Sequence, residues 1–178
     1  LQIKGTMADA QVSGEVGVID SVFYKDMELI PIGKPFLGPS ADSLPKVDTP
    51  KNPGAAVPAP FNEWTAEIVV KTIDPILIRG NLGRGQVDVA LRIGGKLGDP
   101  KPNGKVRISG LEARLPFSTL LVKEGYLTFS PETGFDPTLE IRGTAEPRPY
   151  RVQVYAYGRM SDPQLVLTSE PPLPETEI

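Results

Sequence analysis

The chain has 178 residues, with 19 Lys or Arg against 22 Asp or Glu, for a net charge of −3 at pH 7. It contains neither histidine nor cysteine, which excludes thiol nucleophiles, histidine bases and Cys/His metal sites. The 20 prolines and 18 glycines disfavour long helices. Charges of both signs are mixed along the chain without a basic block, so the sequence predicts no nucleic-acid partner. We expect no enzymatic activity, cofactor or metal.

No run of about 18 apolar residues is present, so no membrane-spanning segment is predicted. The sequence also lacks the features of a signal peptide at its start. It begins at Leu1 inside a strand-like stretch and ends at Ile178. We therefore expect a single β domain over residues 1–178 that is a fragment of a longer protein, with any membrane anchor outside it.

The N-terminal segment alternates between apolar and polar residues. Val12, Val16 and Val18 fall on one side, with polar residues or glycine between them. The following run, residues 15–24, is rich in β-branched and aromatic residues. Both features predict strands with one apolar and one wet face.

Residues 31–60 break this pattern. The segment holds eight of the twenty prolines and shows no periodicity. It predicts a long, flexible proline-rich loop. The alternative, a proline-rich docking motif, lacks a PxxP cluster with flanking basic residues.

Strands resume after Phe61 and are separated by turn residues, which is typical of an antiparallel meander. A turn is predicted at 98–105, because Asn103–Gly104 tolerates the positive φ of a tight hairpin. Asp99–Pro100 and Asp162–Pro163 are both predicted to lie in turns before a strand. The predicted strands cover residues 64–72, 76–79, 85–97, 105–109, 120–129, 138–146, 150–159 and 164–169.

The clearest alternation lies in residues 85–97, where one face is apolar and the other polar. The apolar residues are Val87, Val89, Leu91 and Ile93, and the residues between them are Asp88, Ala90 and Arg92. Leaving the apolar set in water would forfeit roughly 1.5–3 kcal/mol per side chain, and no amphipathic helix is predicted to cover it. The sheet must either fold into a dry sandwich or barrel, or curl partly and leave a trough suited to acyl chains. Patterning alone leaves both open.

The C-terminal region, residues 111–178, carries three ordered strand motifs. The first is Gly-x-Leu-x-Phe at 125–129, and the second is Asp-Pro-x-Leu-x-Ile at 136–141. The third runs from Gly158 through Ser161-Asp162-Pro163 and ends in Ser-x-Pro-x-Leu at 169–173. In their order and spacing these motifs resemble the end of TamB-type proteins, the translocation and assembly modules of the AsmA-like family.

The resemblance implies a fold: a curled antiparallel sheet, described as a β-taco or open half-barrel, with an apolar interior groove. It also implies a periplasmic segment of a protein anchored to the inner membrane of a Gram-negative bacterium. Such proteins are associated with moving phospholipids to the outer membrane and with outer-membrane protein assembly. The implied partners are phospholipid acyl chains and an outer-membrane protein of the TamA or Omp85 type.

On this interpretation the inward-facing apolar side chains of the strands line a lipid groove. Each contributes non-directional area, which would let lipids slide rather than bind tightly. The alternative for every one of them is ordinary core packing. The predicted groove residues are Val87, Val89, Leu91, Ile93, Val106, Ile108, Leu127, Phe129, Leu139, Ile141, Val152, Val154, Leu165 and Leu167.

A second hypothesis is a strand-docking module with a sealed core and no lipid ligand. An unpaired strand edge recruits strands from other chains. The candidate edge is 164–169, next to the proline-rich tail 171–174. An exposed apolar sheet would also favour self-association, so a homodimer in vitro is expected to be possible.

Two further sets of side chains have less support. Carboxylates could pair in space as in glycosidases, but surface charge explains them better; they are Asp20, Asp26, Glu28, Glu140 and Glu146. Tyrosines could stack on sugars, but amphipathic packing at a sheet edge explains them better; they are Tyr150, Tyr155 and Tyr157.

Overall fold

The structure, a computed structural model, describes residues 1–7, 9–24, 57–80, 83–114, 118–147 and 149–172. Strands occupy 72% of these residues, and the one helical element among them is a 3-10 turn at Phe61–Glu63. No described helix is long and apolar enough to cross a membrane. The strands are β1 (Gln2–Gly5), β2 (Ala10–Val18), β3 (Val22–Tyr24), β4 (Thr65–Thr72), β5 (Ile76–Gly80), β6 (Gly83–Lys96), β7 (Asp99–Arg114), β8 (Thr119–Phe129), β9 (Thr138–Ala145), β10 (Arg151–Arg159) and β11 (Asp162–Glu170).

All eleven strands belong to one sheet. The main path runs β1-β2-β4-β6-β7-β8-β9-β10-β11, and β5 pairs with both β6 and β3 off that path. From β6 to β11 each strand pairs with the next in antiparallel register, as the meander prediction requires. In the described strands β1 and β11 lie at opposite ends of the path, so the sheet is open.

Two strand pairs are parallel. β2 pairs with β4, and β3 pairs with β5, in parallel register. Parallel neighbours need a long crossover, and this one contains the proline-rich segment. The loop predicted at 31–60 falls mostly on residues 31–56, which lie outside the described residues.

The turn predicted at Asn103–Gly104 is wrong. The β6–β7 turn is Leu97–Gly98, closed by the pair Lys96 and Asp99, so Asn103 and Gly104 lie inside β7. Gly104 has φ +137, and a Cβ on it would overlap with the Ala90 carbonyl oxygen. A glycine is therefore required by close strand approach rather than by a turn.

The prediction that both Asp–Pro pairs lie in turns is also wrong. Each pair forms the first two residues of a strand. β7 starts at Asp99, and β11 starts at Asp162 after a two-residue turn. Proline is tolerated where one side of the strand has no partner. Pro100 meets this condition, because β8 pairs with β7 only from Gly104 onward.

The sheet is curled, and in β8 to β11 one face is shielded and the other is wet; at the β1–β3 end, Ile3 and Phe23 lie on the first face but are 64% and 56% exposed. Leu139 is 8% exposed and Val152 is 8% exposed, and the register places both on the same face. Leu121 is 47% exposed and Val166 is 41% exposed, and both lie on the opposite face. The exposed fractions of leucine and of valine therefore differ several-fold between the two faces. The face that contains Leu139 and Val152 is the concave one. The fold prediction, an open curled β-sheet with an apolar interior groove, is confirmed.

Candidate functional site

Cross-strand register assembles the concave face from rows of directly opposed residues, which share a face. One row joins Val89, Val106, Leu127 and Leu139 across β6–β9. The register of the remaining pairs places every predicted groove residue on this same face: Val87, Val89, Leu91, Ile93, Val106, Ile108, Leu127, Phe129, Leu139, Ile141, Val152, Val154, Leu165 and Leu167. Their role in binding remains a prediction.

The lining also includes residues that sequence reasoning missed on β4. Ile68 lies opposite Ile93 and Val70 lies opposite Leu91, so both face the groove. Val69 between them is also apolar and faces outward between Glu15 and Arg92. Because three apolar residues follow one another, alternation could not show which side of β4 is inside.

The second omission arises from an irregularity in β8. Simple alternation from Leu127 would turn Leu121 and Lys123 inward, but the register shifts between Val122 and Glu124. Beyond the shift Val122 lies opposite Gly143 on the concave face, and it is 3% exposed. One signal of this shift is present in the sequence: simple alternation would place a lysine, Lys123, at an inward position where an apolar residue is expected.

In the described strands the concave face is apolar, without ionisable side chains. Following the register through the described strands β1–β11, we find no Asp, Glu, Lys or Arg at an inward position. The polar exceptions are Thr72, whose Oγ1 accepts a bond from the Val89 N–H at 3.0 Å, and Ser169, whose hydroxyl donates to the Pro171 carbonyl at 3.0 Å. The groove therefore offers apolar area and few groups that could fix a polar ligand.

Two glycines allow close packing on this face. A Cβ on Gly143 would lie 2.8 Å from Leu120 Cδ1, and a Cβ on Gly125 would lie 3.0 Å from Ile141 Cγ1. The missing side chains let these larger neighbours lean over the backbone. The groove lining is thus continuous across both positions.

The charges lie on the convex face, where they pair with one another. All eight ion pairs of the described residues join side chains that are at least 40% exposed. Glu124 accepts a hydrogen bond from the Tyr126 hydroxyl at 3.0 Å and pairs with Arg107. The bonds from Tyr126 and Arg107 lower the pKa of Glu124, and the hydrogen bond to Glu124 raises the pKa of Tyr126. Because solvent screens such pairs, they stabilise the outer surface only modestly.

Among the described residues, two of the carboxylates considered for catalysis pair with arginines. Glu140 pairs with Arg142 at 2.9 Å, and Glu146 pairs with Arg151 at 3.0 Å. Asp20 lies between β2 and β3 with φ +46, whereas the remaining two, Asp26 and Glu28, lie outside the described residues. Within the described part of the chain, no group of three or more acidic side chains is placed to hold a metal ion.

The convex side of β8–β11 also bears a shallow depression of about 1210 Å³. It is bordered by Leu121, Tyr126, Tyr155 and Val166, and the Arg142 guanidinium lies 5.0 Å from the centre of the Tyr155 ring. Tyr155 also stacks on Tyr157, with 5.0 Å between the ring centres and 19° between the ring planes. These side chains satisfy one another, which favours surface packing over a sugar platform.

Comparison with protein families identifies one relationship. The family model described as the TamB C-terminal domain matches residues 1–178. The chain belongs to the TamB C-terminal domain family. This confirms the resemblance in the C-terminal strands and extends it to the N-terminal strands, where no motif was evident. A comparison with curated protein sequences gives no match.

Membership in the TamB family fixes the general class of this protein. TamB proteins belong to the Gram-negative cell envelope, act as a transport and assembly module with an outer-membrane partner, and are not a known enzyme family. The apolar groove of this TamB chain is therefore the feature for which a function must be found.

Proposed function

We propose that the groove of this TamB-family chain shields phospholipid acyl chains during transport between the inner and outer membranes. The observation that supports this most is the concave face, which is apolar across β1–β11 and open on one side. Each methylene removed from water contributes about 0.8 kcal/mol. A sealed sandwich would instead bury most inward side chains. Here many remain partly exposed, including Leu91 and Leu127.

The apolar concave face is unfavourable for a phospholipid headgroup. An unpaired charge or unbonded polar group transferred to an apolar surface costs several kcal/mol. The headgroup therefore stays in water at the open mouth between β1 and β11, while the acyl chains lie along the lining. Without polar groups to hold it, a lipid would slide along the rows, and the groove would discriminate weakly between headgroups.

In the cell this arrangement belongs in the periplasm. We infer that the chain is part of a protein anchored to the inner membrane and that its outer-membrane partner is of the TamA or Omp85 type. Delivery of lipid to that partner would also support outer-membrane protein assembly. Family membership and the acyl-compatible groove support this placement.

The test compares two adjacent residues of β6 in the complete protein. Leu91→Asp introduces a carboxylate on the concave face, whereas Ala90→Asp introduces it on the convex face between Lys71 and Lys105. We expect Leu91→Asp to abolish phospholipid transfer to the outer membrane and Ala90→Asp to preserve it, with both proteins folded by circular dichroism. Normal transfer with a folded Leu91→Asp protein would show that the groove is not the lipid path.

A second candidate function is strand docking at β11. This strand pairs with β10, and in the described residues it has no neighbour on its other side. Such an edge can accept a strand of the outer-membrane partner. Deleting residues 161–178 should abolish co-purification of the partner, while Leu91→Asp should leave it intact. Unchanged co-purification after the deletion would contradict docking at this edge.

A further inference from the structure

Two neighbouring strands each contain one residue more than the strand beside them. Between Ser109 and Glu112, β7 advances three residues while β6 advances two. Between Val122 and Glu124, β8 advances two residues while β9 advances one. The extra residues are Gly110 and Lys123, and they lie opposite each other, because the pairs on both sides of them are in register.

Two strand interruptions also lie on the other side of β6. β4 and β5 are interrupted at Ile73–Pro75, and the neighbouring β2 and β3 are interrupted at Ile19–Ser21. The interruptions are adjacent, since the Ile73 N–H donates to the Val18 carbonyl at 2.9 Å. β6 itself is continuous beside these interruptions, and its register with β7 shifts only between Arg84 and Gln86. The position of Gly110 and Lys123 divides β7 to β9 into two parts. We call the side containing Leu139 the near panel, and the side containing Val122 and Val152 the far panel.

The two extra residues fit the position of bulges, one by its backbone conformation and the other by the face on which it lies. Gly110 has φ +56, in the left-handed region that favours glycine, and a Cβ built on it would meet no atom within 4 Å. Lys123 is exposed and lies on the convex face beside Glu124. Without its bulge, alternation from Gly125 would direct the lysine into the groove. The bulge therefore keeps a charge out of the apolar lining.

We propose that Gly110 and Lys123 act together as one bend, which positions the far panel of the groove. Bulges bend a strand and increase its twist, and curled sheets require such devices. Val122 is 3% and Val152 is 8% exposed, although both lie toward one end of the sheet, where an unbent sheet would leave them wet. The proposal deepens the proposed function, because it identifies the residues that shape one end of the lipid groove.

Deletions test the coupling of the two residues directly. Deleting both residues removes the extra residue of β7 relative to β6 and that of β8 relative to β9. The β7–β8 pairs are preserved, and every other side chain stays on its face. Deleting Lys123 alone leaves Gly110 without a residue opposite it and so mismatches β7 against β8, and deleting Gly110 alone does the same to Lys123. The double deletion should therefore unfold at a higher urea concentration than either single deletion. If it unfolds at a lower concentration than either, or does not fold while a single deletion does, the proposal is overturned.

Thiol labelling then tests the bend itself, and the cysteine-free chain gives no background. Val152→Cys in the far panel is compared with Leu139→Cys in the near panel, since both native side chains are 8% exposed. In the double deletion, maleimide should react about tenfold faster at position 152, because the far panel opens, and at an unchanged rate at position 139. Equal rates at position 152 in the parent and the folded double deletion would overturn the proposal.

Neither the urea unfolding nor the thiol labelling involves lipid. A failure of the proposed bend can therefore be distinguished from a failure of the proposed lipid path. If the deletions behave as expected but Leu91→Asp transfers lipid normally, the bend stands and the lipid path is wrong. If Leu91→Asp blocks transfer while the labelling rates do not change, the lipid path stands without the bend.

Discussion

The two faces of the sheet should differ in how much a leucine contributes to stability. Leu139 is 8% exposed on the concave face, and Leu121 is 47% exposed on the convex face. Truncating a leucine in a closed core costs about 2–5 kcal/mol. No second layer packs on Leu139 within the described part of the chain, so we expect Leu139→Ala to fall at the low end, about 2 kcal/mol. Leu121→Ala should cost less than about 1 kcal/mol, since about half of its surface is already wet.

Urea unfolding of the two variants measures this difference. Far-UV circular dichroism reports on the sheet, and the single tryptophan, Trp64, provides an independent probe near the start of β4. With an unfolding slope of about 2 kcal/mol per molar urea, Leu139→Ala should lower the midpoint by about 1 M. Coincident transitions by the two probes would support a two-state treatment. Equal costs for both leucines would refute the argument that the apolar face is the shielded one.

Three further predictions address other features. Gly143→Val should destabilise the fold by about 1–3 kcal/mol in urea unfolding, because its side chain would overlap with Leu120; an unchanged midpoint would contradict the close packing. Asp136→Ala removes the bonds from the Ser161 N–H and hydroxyl, at 3.0 and 2.7 Å, and should cost about 1–3 kcal/mol; Ser161→Ala should cost less. The pKa of Glu124 lies below its ordinary value of 4.5, so the folded chain binds fewer protons than the unfolded chain in acid. Its stabilisation is present above that value and is lost as the pH falls through the lowered pKa, and Glu124→Gln should flatten the acid-side fall of the urea midpoint.

The sequence was sufficient to predict the strands with strict alternation. In β6 the apolar residues at 87, 89, 91 and 93 follow a period of two without interruption, so the face they share could be read directly. The same holds for β9 to β11, where no register shift occurs among the described pairs. Strand existence and face are local properties in these segments.

The remaining features depend on register, which is not local. Asn103–Gly104 has the composition of a hairpin turn, but the pairing of β7 with β6 places it inside a strand. Lys123 is displaced from the groove by a bulge whose partner, Gly110, belongs to another strand. The parallel pairing of β2 with β4 joins residues separated by the proline-rich crossover. Pairings of this kind are set by the whole sheet, so local periodicity could not predict them.

The most direct test of the central claim is site-specific photocrosslinking in cells that carry the complete protein. A photoreactive residue replaces Leu91, on the concave face, or its neighbour Arg92, which lies on the convex face 3.9 Å from Glu67. The proposed function predicts phospholipid adducts at position 91 and none at position 92. Adducts at neither position would contradict a lipid path in the groove and favour a chain that acts through its strand edges.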